Sequence, residues 1–194
     1  MVACYALWIG WVISWVAASV WTNRTVARPS AARQWSYQLP ELAGYALLLG
    51  FVQTGNGLKP LAWLSPYWHL PVTLQWMFVV LCADGIAFAW WARIHLGRLW
   101  SGYITHKEGH RVVDTGPYRI VRHPIYTGLI TSAIAMAAVK GSLLAILGCL
   151  SLIVAYLIKG RLEERWLREE LGAADYDAYS RRVPMLVPFL PVRG

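Results

Sequence analysis

Charge is scarce in this sequence, and acid is scarcer still. Charged residues make up 14% of the 194, with 10 Asp and Glu against 18 Lys and Arg. That is about half the charged share of an average soluble domain, and 57% of the residues are hydrophobic. Cysteine is confined to Cys4, Cys82 and Cys149, each in an apolar stretch and without paired spacing. Such cysteines read as buried small hydrophobes and imply neither a disulfide nor a metal. A nucleophilic triad, a metal cluster and a phosphate-binding glycine loop are all missing; His95, His110 and His123 lack a metal-ligand spacing. The basic excess does not point to nucleic acid, because it concentrates in alternate loops between apolar runs, which is a topology signal.

What is present in quantity is Trp (12) and Tyr (10), rings favoured where helices end at lipid headgroup level. Residues 2–20 are apolar but have neither a basic leader nor a small-residue cleavage site, so they read as a retained helix. Five apolar runs, 4–22, 42–58, 70–92, 125–139 and 142–158, are expected to cross a bilayer, given ~1.5 Å rise per residue and a ~30 Å core. The expected fold is therefore an all-α integral membrane protein with five transmembrane helices. The last two form a helical hairpin about Lys140-Gly141, and a cytosolic C-terminal helical region follows. Basic residues cluster in 23–40, 92–123 and the tail, against Lys59 and Lys140 alone on the other side. This puts the N-terminus outside and the C-terminus in the cytoplasm. Ala, Arg and Gly usage suggests a bacterial inner membrane. Asp84 is the one acid inside an apolar run. It is either hydrogen-bonded structurally or part of a substrate or proton path.

Two stretches carry the chemistry, GPYRIVRHPIYTG over 116–128 and Arg161-Leu162-Glu163-Glu164. Arg119, Arg122 and His123 fall within five positions, and Pro124 suits the first turn of a helix. A helix start with guanidiniums favours an anion such as a carboxylate or phosphate. Arginines there also satisfy lipid headgroups on the inner face. Glu163 and Glu164, at the end of the fifth run, call for a cation. Arg161 and Arg165 could provide it, and so could an amine or sulfonium of a ligand. An anion binder beside a cation binder suits a zwitterionic amino-acid end. Main-chain groups around Gly109-His110, Val112-Val113 and Gly116-Pro117 could hold a flat ring.

The combination of LGRLWS (96–101), HRVVDTGPYRIVRHPIYTG and RLEERWLREELGAADYDAYSRRVPMLVP resembles the isoprenylcysteine carboxyl methyltransferase family. That family sits within a wider membrane group that includes phospholipid N-methyltransferases. The resemblance runs from about Leu96 to Pro188 and implies an S-adenosylmethionine pocket facing the cytosol. His123 and Tyr126 would hold the amino-acid part of that cofactor, His110 and the Val113 backbone would flank its adenosine, and Glu163 or Glu164 would close the pocket. Arg119, Arg122, Glu163 and Glu164 would serve catalysis. Arg161, Tyr176, Tyr179 and Asp84 would face the acceptor, a lipophilic small molecule or lipid-modified substrate entering from the bilayer. On this division residues 1–92 hold the first three spans, and 93–194 hold the cofactor loop, the hairpin and the C-terminal region of one membrane domain. An isoprenylcysteine-like carboxylate is the acceptor that the resemblance favours; such a group is ionised at neutral pH and attacks without a base. An amine would first have to lose a proton. A lipid amine, a thiol, a nicotinamide-dependent reductase and a non-enzymatic lipid-binding protein are the other readings.

Overall fold

In the computed structural model, residues 1–22, 25–27, 30–50, 66–102, 106–107 and 112–190 are described. Their elements in chain order are α1 (Val2–Ala18), β1 (Thr25–Ala27), α2 (Ala31–Leu49), α3 (Val72–Leu96), β2 (His106–Lys107), α4 (Pro124–Lys140), α5 (Leu143–Leu171) and α6 (Ala173–Ser180). Short 3-10 turns at Gly97–Leu99 and Gly116–Arg119 flank the polar connection after α3. The two strands pair antiparallel, with Thr25 opposite Lys107. Among the described residues everything else regular is helix.

The expectation of five spans is overturned. Among the described residues two helices are long and apolar enough to cross a bilayer, within Val72–Leu99 and Leu143–Glu169. The reasons lie in where helices start and stop. Helix α1 has 17 residues, about 25 Å at ~1.5 Å per residue, which is short of the ~30 Å core. Helix α4 also has 17; it begins at Pro124, and Gly141 stops it in the left-handed conformation at φ 62°. Helix α2 begins at Ala31, inside the stretch read as a basic loop, and it takes in Arg33, Gln38, Pro40 and Glu41. The later part of that expected second span lies outside the described residues. Helix α5 does not end near Ile158. It continues through the glutamate pair to Leu171, so those acids sit inside a helix rather than beyond one.

The last two long helices are not a self-contained hairpin either. Helix α4 packs chiefly on α3, and α5 packs chiefly on α2. Small residues set the α3–α4 distance. A Cβ on Gly85 would meet Ser132 Oγ and lie 2.5 Å from the Gly128 carbonyl oxygen, and one on Gly128 would strike the Gly85 carbonyl. Two backbones can approach this closely only where neither carries a side chain. Ser132 Oγ completes the crossing by donating to the Cys82 carbonyl at 2.9 Å.

The core is one continuous cluster that includes Trp8, Leu48, Cys82, Met136, Leu152 and Tyr156; a small second cluster holds Tyr176, Tyr179 and Val183. Arg93 is fully buried at the end of α3. It donates to the carbonyls of Gly97, Ala18 and Trp21 at 2.8–2.9 Å and lies over the rings of Trp21 and Trp100. A buried guanidinium needs such partners, and here they pin the end of α1 to the end of α3. By contrast, the outer face of α3 leaves Trp76, Met77 and Val80 exposed. A helical protein with apolar faces of this kind is membrane-associated.

Candidate active site

A cavity of about 640 Å³ opens between α1, α2, α4, α5 and the segments around residues 100 and 113. Its volume falls in the ~300–1,000 Å³ range of small-molecule sites. One wall is aromatic and apolar, including Trp11, Trp15, Trp35, Leu42 and Leu129. The other is polar and is built by the start of α4 and the middle of α5.

The basic turn and the acid pair meet there directly. Arg122 Nε donates to Glu164 Oε1 at 2.7 Å and Nη2 to Oε2 at 3.3 Å, while Nη1 donates to the carbonyls of Ser180 and Val183 at 2.8 and 2.6 Å. His123 precedes α4 as its N-cap. Its Nε2 lies 3.0 Å from Glu164 Oε1 and its Nδ1 3.5 Å from Glu163 Oε2. Facing a carboxylate from both ring nitrogens suits the imidazolium, the form in which both are donors. Burial alone would push the His123 pKa down, but the two carboxylates outweigh it and hold the group above its ordinary value. Gly160 makes room for this contact, since a Cβ there would sit 2.6 Å from Met185 Cε and 3.3 Å from the imidazole.

Tyr126, one turn into α4, donates its hydroxyl to Glu163 Oε1 at 2.6 Å. Its ring stacks between those of His123 and Tyr156, with centroids 5.3 and 4.8 Å away. Tyr156 in turn shares a 2.6 Å hydrogen bond with Tyr45 of α2. The C-terminal segment closes over this wall. The main-chain N–H groups of Arg122 and His123 donate to Pro184 and Met185, and Thr127 Oγ1 donates to Leu186. Tyr179 donates to the Tyr118 carbonyl at 2.7 Å, and burial raises the pKa of both Tyr176 and Tyr179.

Of the residues singled out in the sequence, Val113, Arg122, His123, Tyr126, Glu163, Tyr176 and Tyr179 line the cavity. Glu164 sits behind them on Arg122 and His123. Arg119, Arg161 and Asp84 are exposed and are not among the lining residues. His110 lies outside the described residues. Glu41, Tyr45, Tyr156 and Lys159 line the cavity without having been singled out. Their signal was present as spacing, Glu41 to Tyr45 at i, i+4 and Tyr156, Lys159, Glu163 at i, i+3, i+7 of one helix face. Apolar-run reading had divided those residues between spans and loops.

The donor set fits a zwitterionic, nucleoside-sized cofactor. Cationic Arg122 and His123 adjoin anionic Glu163, and the indole N–H groups of Trp11 and Trp166, both in the cavity wall, are buried with no hydrogen-bond acceptor among the described residues. Among the described residues no group of three His, Cys, Asp or Glu could hold a metal.

Comparison with known proteins gives one family model and several relatives. The sequence model for the isoprenylcysteine carboxyl methyltransferase family matches residues 77–169. Methanethiol S-methyltransferase 2 of Bradyrhizobium diazoefficiens is 32% identical over 189 residues, 88% of this chain and 70% of that protein. Protein-S-isoprenylcysteine O-methyltransferase B of Arabidopsis thaliana is 27% identical over 136 residues, covering 69% of this chain and 64% of its own length. The nickel-cobalt-cadmium resistance protein NccN of Alcaligenes xylosoxydans xylosoxydans is 30% identical over 117 residues, 59% of this chain and 53% of that protein. The chain spans about half the length of the metal-resistance relatives it matches.

Proposed function

We propose, because this chain belongs to the isoprenylcysteine carboxyl methyltransferase family, that it moves a methyl group from S-adenosylmethionine to a lipophilic acceptor. Family membership classes it as an S-adenosylmethionine-dependent methyltransferase. The observation carrying the reading is a coincidence of place: the matched segment 77–169 contains the cavity's polar wall, from Arg122 and His123 to Lys159 and Glu163.

When bound, the cofactor supplies an electrophilic methyl group on a sulfonium. The protein's task is placement. In this reading His123, Tyr126 and Glu163 hold the amino-acid end, their rotamers fixed by one another and by Glu164. Val113 flanks the adenosine, together with His110, which lies outside the described residues. Arg122 ties the C-terminal segment down over the pocket, and Tyr176 and Tyr179 seal it. Arg119, Arg161 and Asp84, at the exterior, would act only on an acceptor still approaching. Excluding water and aligning two reactants is enough to accelerate a displacement greatly. The apolar wall of Trp11, Trp15, Trp35 and Leu42 receives the acceptor's body from the bilayer.

An isoprenylcysteine-like carboxylate remains the acceptor suggested by the family. A thiol is the second reading, favoured because the methanethiol S-methyltransferase relative matches 88% of this chain. The test of the whole reading is calorimetric titration of the purified protein with S-adenosylhomocysteine and, separately, NADPH. Micromolar binding of the first alone is expected. Binding of NADPH alone would make the chain a reductase, and binding of neither by folded protein would leave no cofactor site.

A further inference from the structure

The cavity has a second polar feature, joined to the His123 network through Tyr126, where α2 meets α5. Lys159 is only 6% exposed. Its ammonium donates to the Gly102 carbonyl at 3.0 Å and lies 3.8 Å from Glu41 Oε2. The rings of Tyr37 and Tyr126 flank it, with centroids 5.2 and 5.4 Å away. An ammonium has three donors. Among the described residues one is used in a hydrogen bond, and the Glu41 contact is too long to be another. Beside Trp11, Trp35 and Leu42, this buried charge has the Glu41 carboxylate at 3.8 Å and the Glu163 carboxylate acting on it, and donors remain that a ligand anion could accept from. Tyr126 joins the two ends of the cavity, its ring on Lys159 and its hydroxyl on Glu163.

We propose that Lys159 receives the acceptor's nucleophile as an anion, and that Glu41 takes the proton of an acceptor that arrives protonated. The acceptor class is then a lipophilic carboxylate or thiol and not an amine. This rests on the methyl-transfer reading above. With a thiol, the S–H bond breaks and its proton passes to the Glu41 carboxylate, while the sulfur stays beside the Lys159 ammonium. The sulfur's electron pair forms the new S–CH3 bond as the sulfonium's S–CH3 bond breaks and its electrons return to the departing thioether. The proton then leaves Glu41 for water. A carboxylate acceptor arrives ionised, so no proton moves. An amine would face the ammonium either as a second cation or, when neutral, with no charge to complement it.

The experiment uses the full chain in lipid nanodiscs. Tryptophan fluorescence follows titration with octanoate, octanol and octylamine, and calorimetry follows S-adenosylhomocysteine in the same preparations. Octanoate should bind about tenfold more tightly than octanol or octylamine, as a charge-assisted hydrogen bond to a buried group implies. Lys159→Met should erase that preference, while Lys159→Arg should retain part of it. Equal binding of the three amphiphiles, or a preference that survives in Lys159→Met, overturns the proposal. If Lys159→Met does not fold, the wild-type ratio of octanoate to octylamine decides. An octanoate preference without S-adenosylhomocysteine binding would instead refute the methyl-transfer reading alone. Methyl transfer to octanethiol and octanoate separates the two sources of the anion, and the thiol-to-carboxylate ratio should fall about tenfold in Glu41→Gln. Faster methylation of octylamine than of either anion also overturns the proposal.

Discussion

Replacing Arg122 with Met asks whether this residue is chiefly a clamp or chiefly a ligand contact. Four of its five N–H groups are engaged within the protein, two on Glu164 and two on the carbonyls of Ser180 and Val183. The side chain is 12% exposed and Glu164 18%. Truncating one member of a fully buried ion pair costs ~3–5 kcal/mol. Partial exposure and the surviving Glu164–His123 contact place this case at the low end, about 3 kcal/mol. For a chain of this size about 3 kcal/mol lowers Tm by roughly 6–12 °C. Thermal unfolding in detergent, followed by circular dichroism, measures it. Arg122→Lys keeps the charge but not the fork, and should fall between the two. The C-terminal segment should also become more open to limited proteolysis near residue 183. A variant that melts within about 2 °C of wild type yet loses S-adenosylhomocysteine binding would refute the clamp and make Arg122 a ligand contact.

Two more outcomes follow from the same geometry. Gly128→Ala should destabilise the protein by about 1–3 kcal/mol, the usual cost of overpacking, because the added Cβ strikes the Gly85 carbonyl; an unchanged melting temperature would show that the α3–α4 crossing yields freely. His123, held above its ordinary pKa by Glu163 and Glu164 against the effect of burial, contributes stability that is complete below about pH 6.5. That contribution is lost as pH rises through the raised folded value. The Tm advantage of wild type over His123→Gln should therefore shrink from pH 6.5 upward, and an advantage that grows with pH would contradict the imidazolium.

Read alone, the sequence determined the chemical character of this protein. Scarce charge and abundant tryptophan require helices with apolar faces, because backbone groups away from water must bond within their own segment. Arg122, His123 and Glu163–Glu164 were legible as two halves of one site, because the chain between them returns the acids beside the basic turn. That they bind each other directly, where the sequence offered Arg161, Arg165 or a ligand cation to the acids, was decided by the packing. Span number was not legible. Hydropathy averages over a window, whereas Pro124 and Gly141 end α4 by backbone geometry, and α5 runs on through its acids to Leu171. The tertiary structure also decided which side of a helix each polar residue takes. Asp84 is exposed on α3, whereas Lys159, which looked like the polar end of a span, is buried in the cavity opposite Glu41. A lone lysine or glutamate in sequence has no partner to announce it. The α2–α5 packing brings these two together from distant parts of the chain, and only that packing places the cavity's second charge.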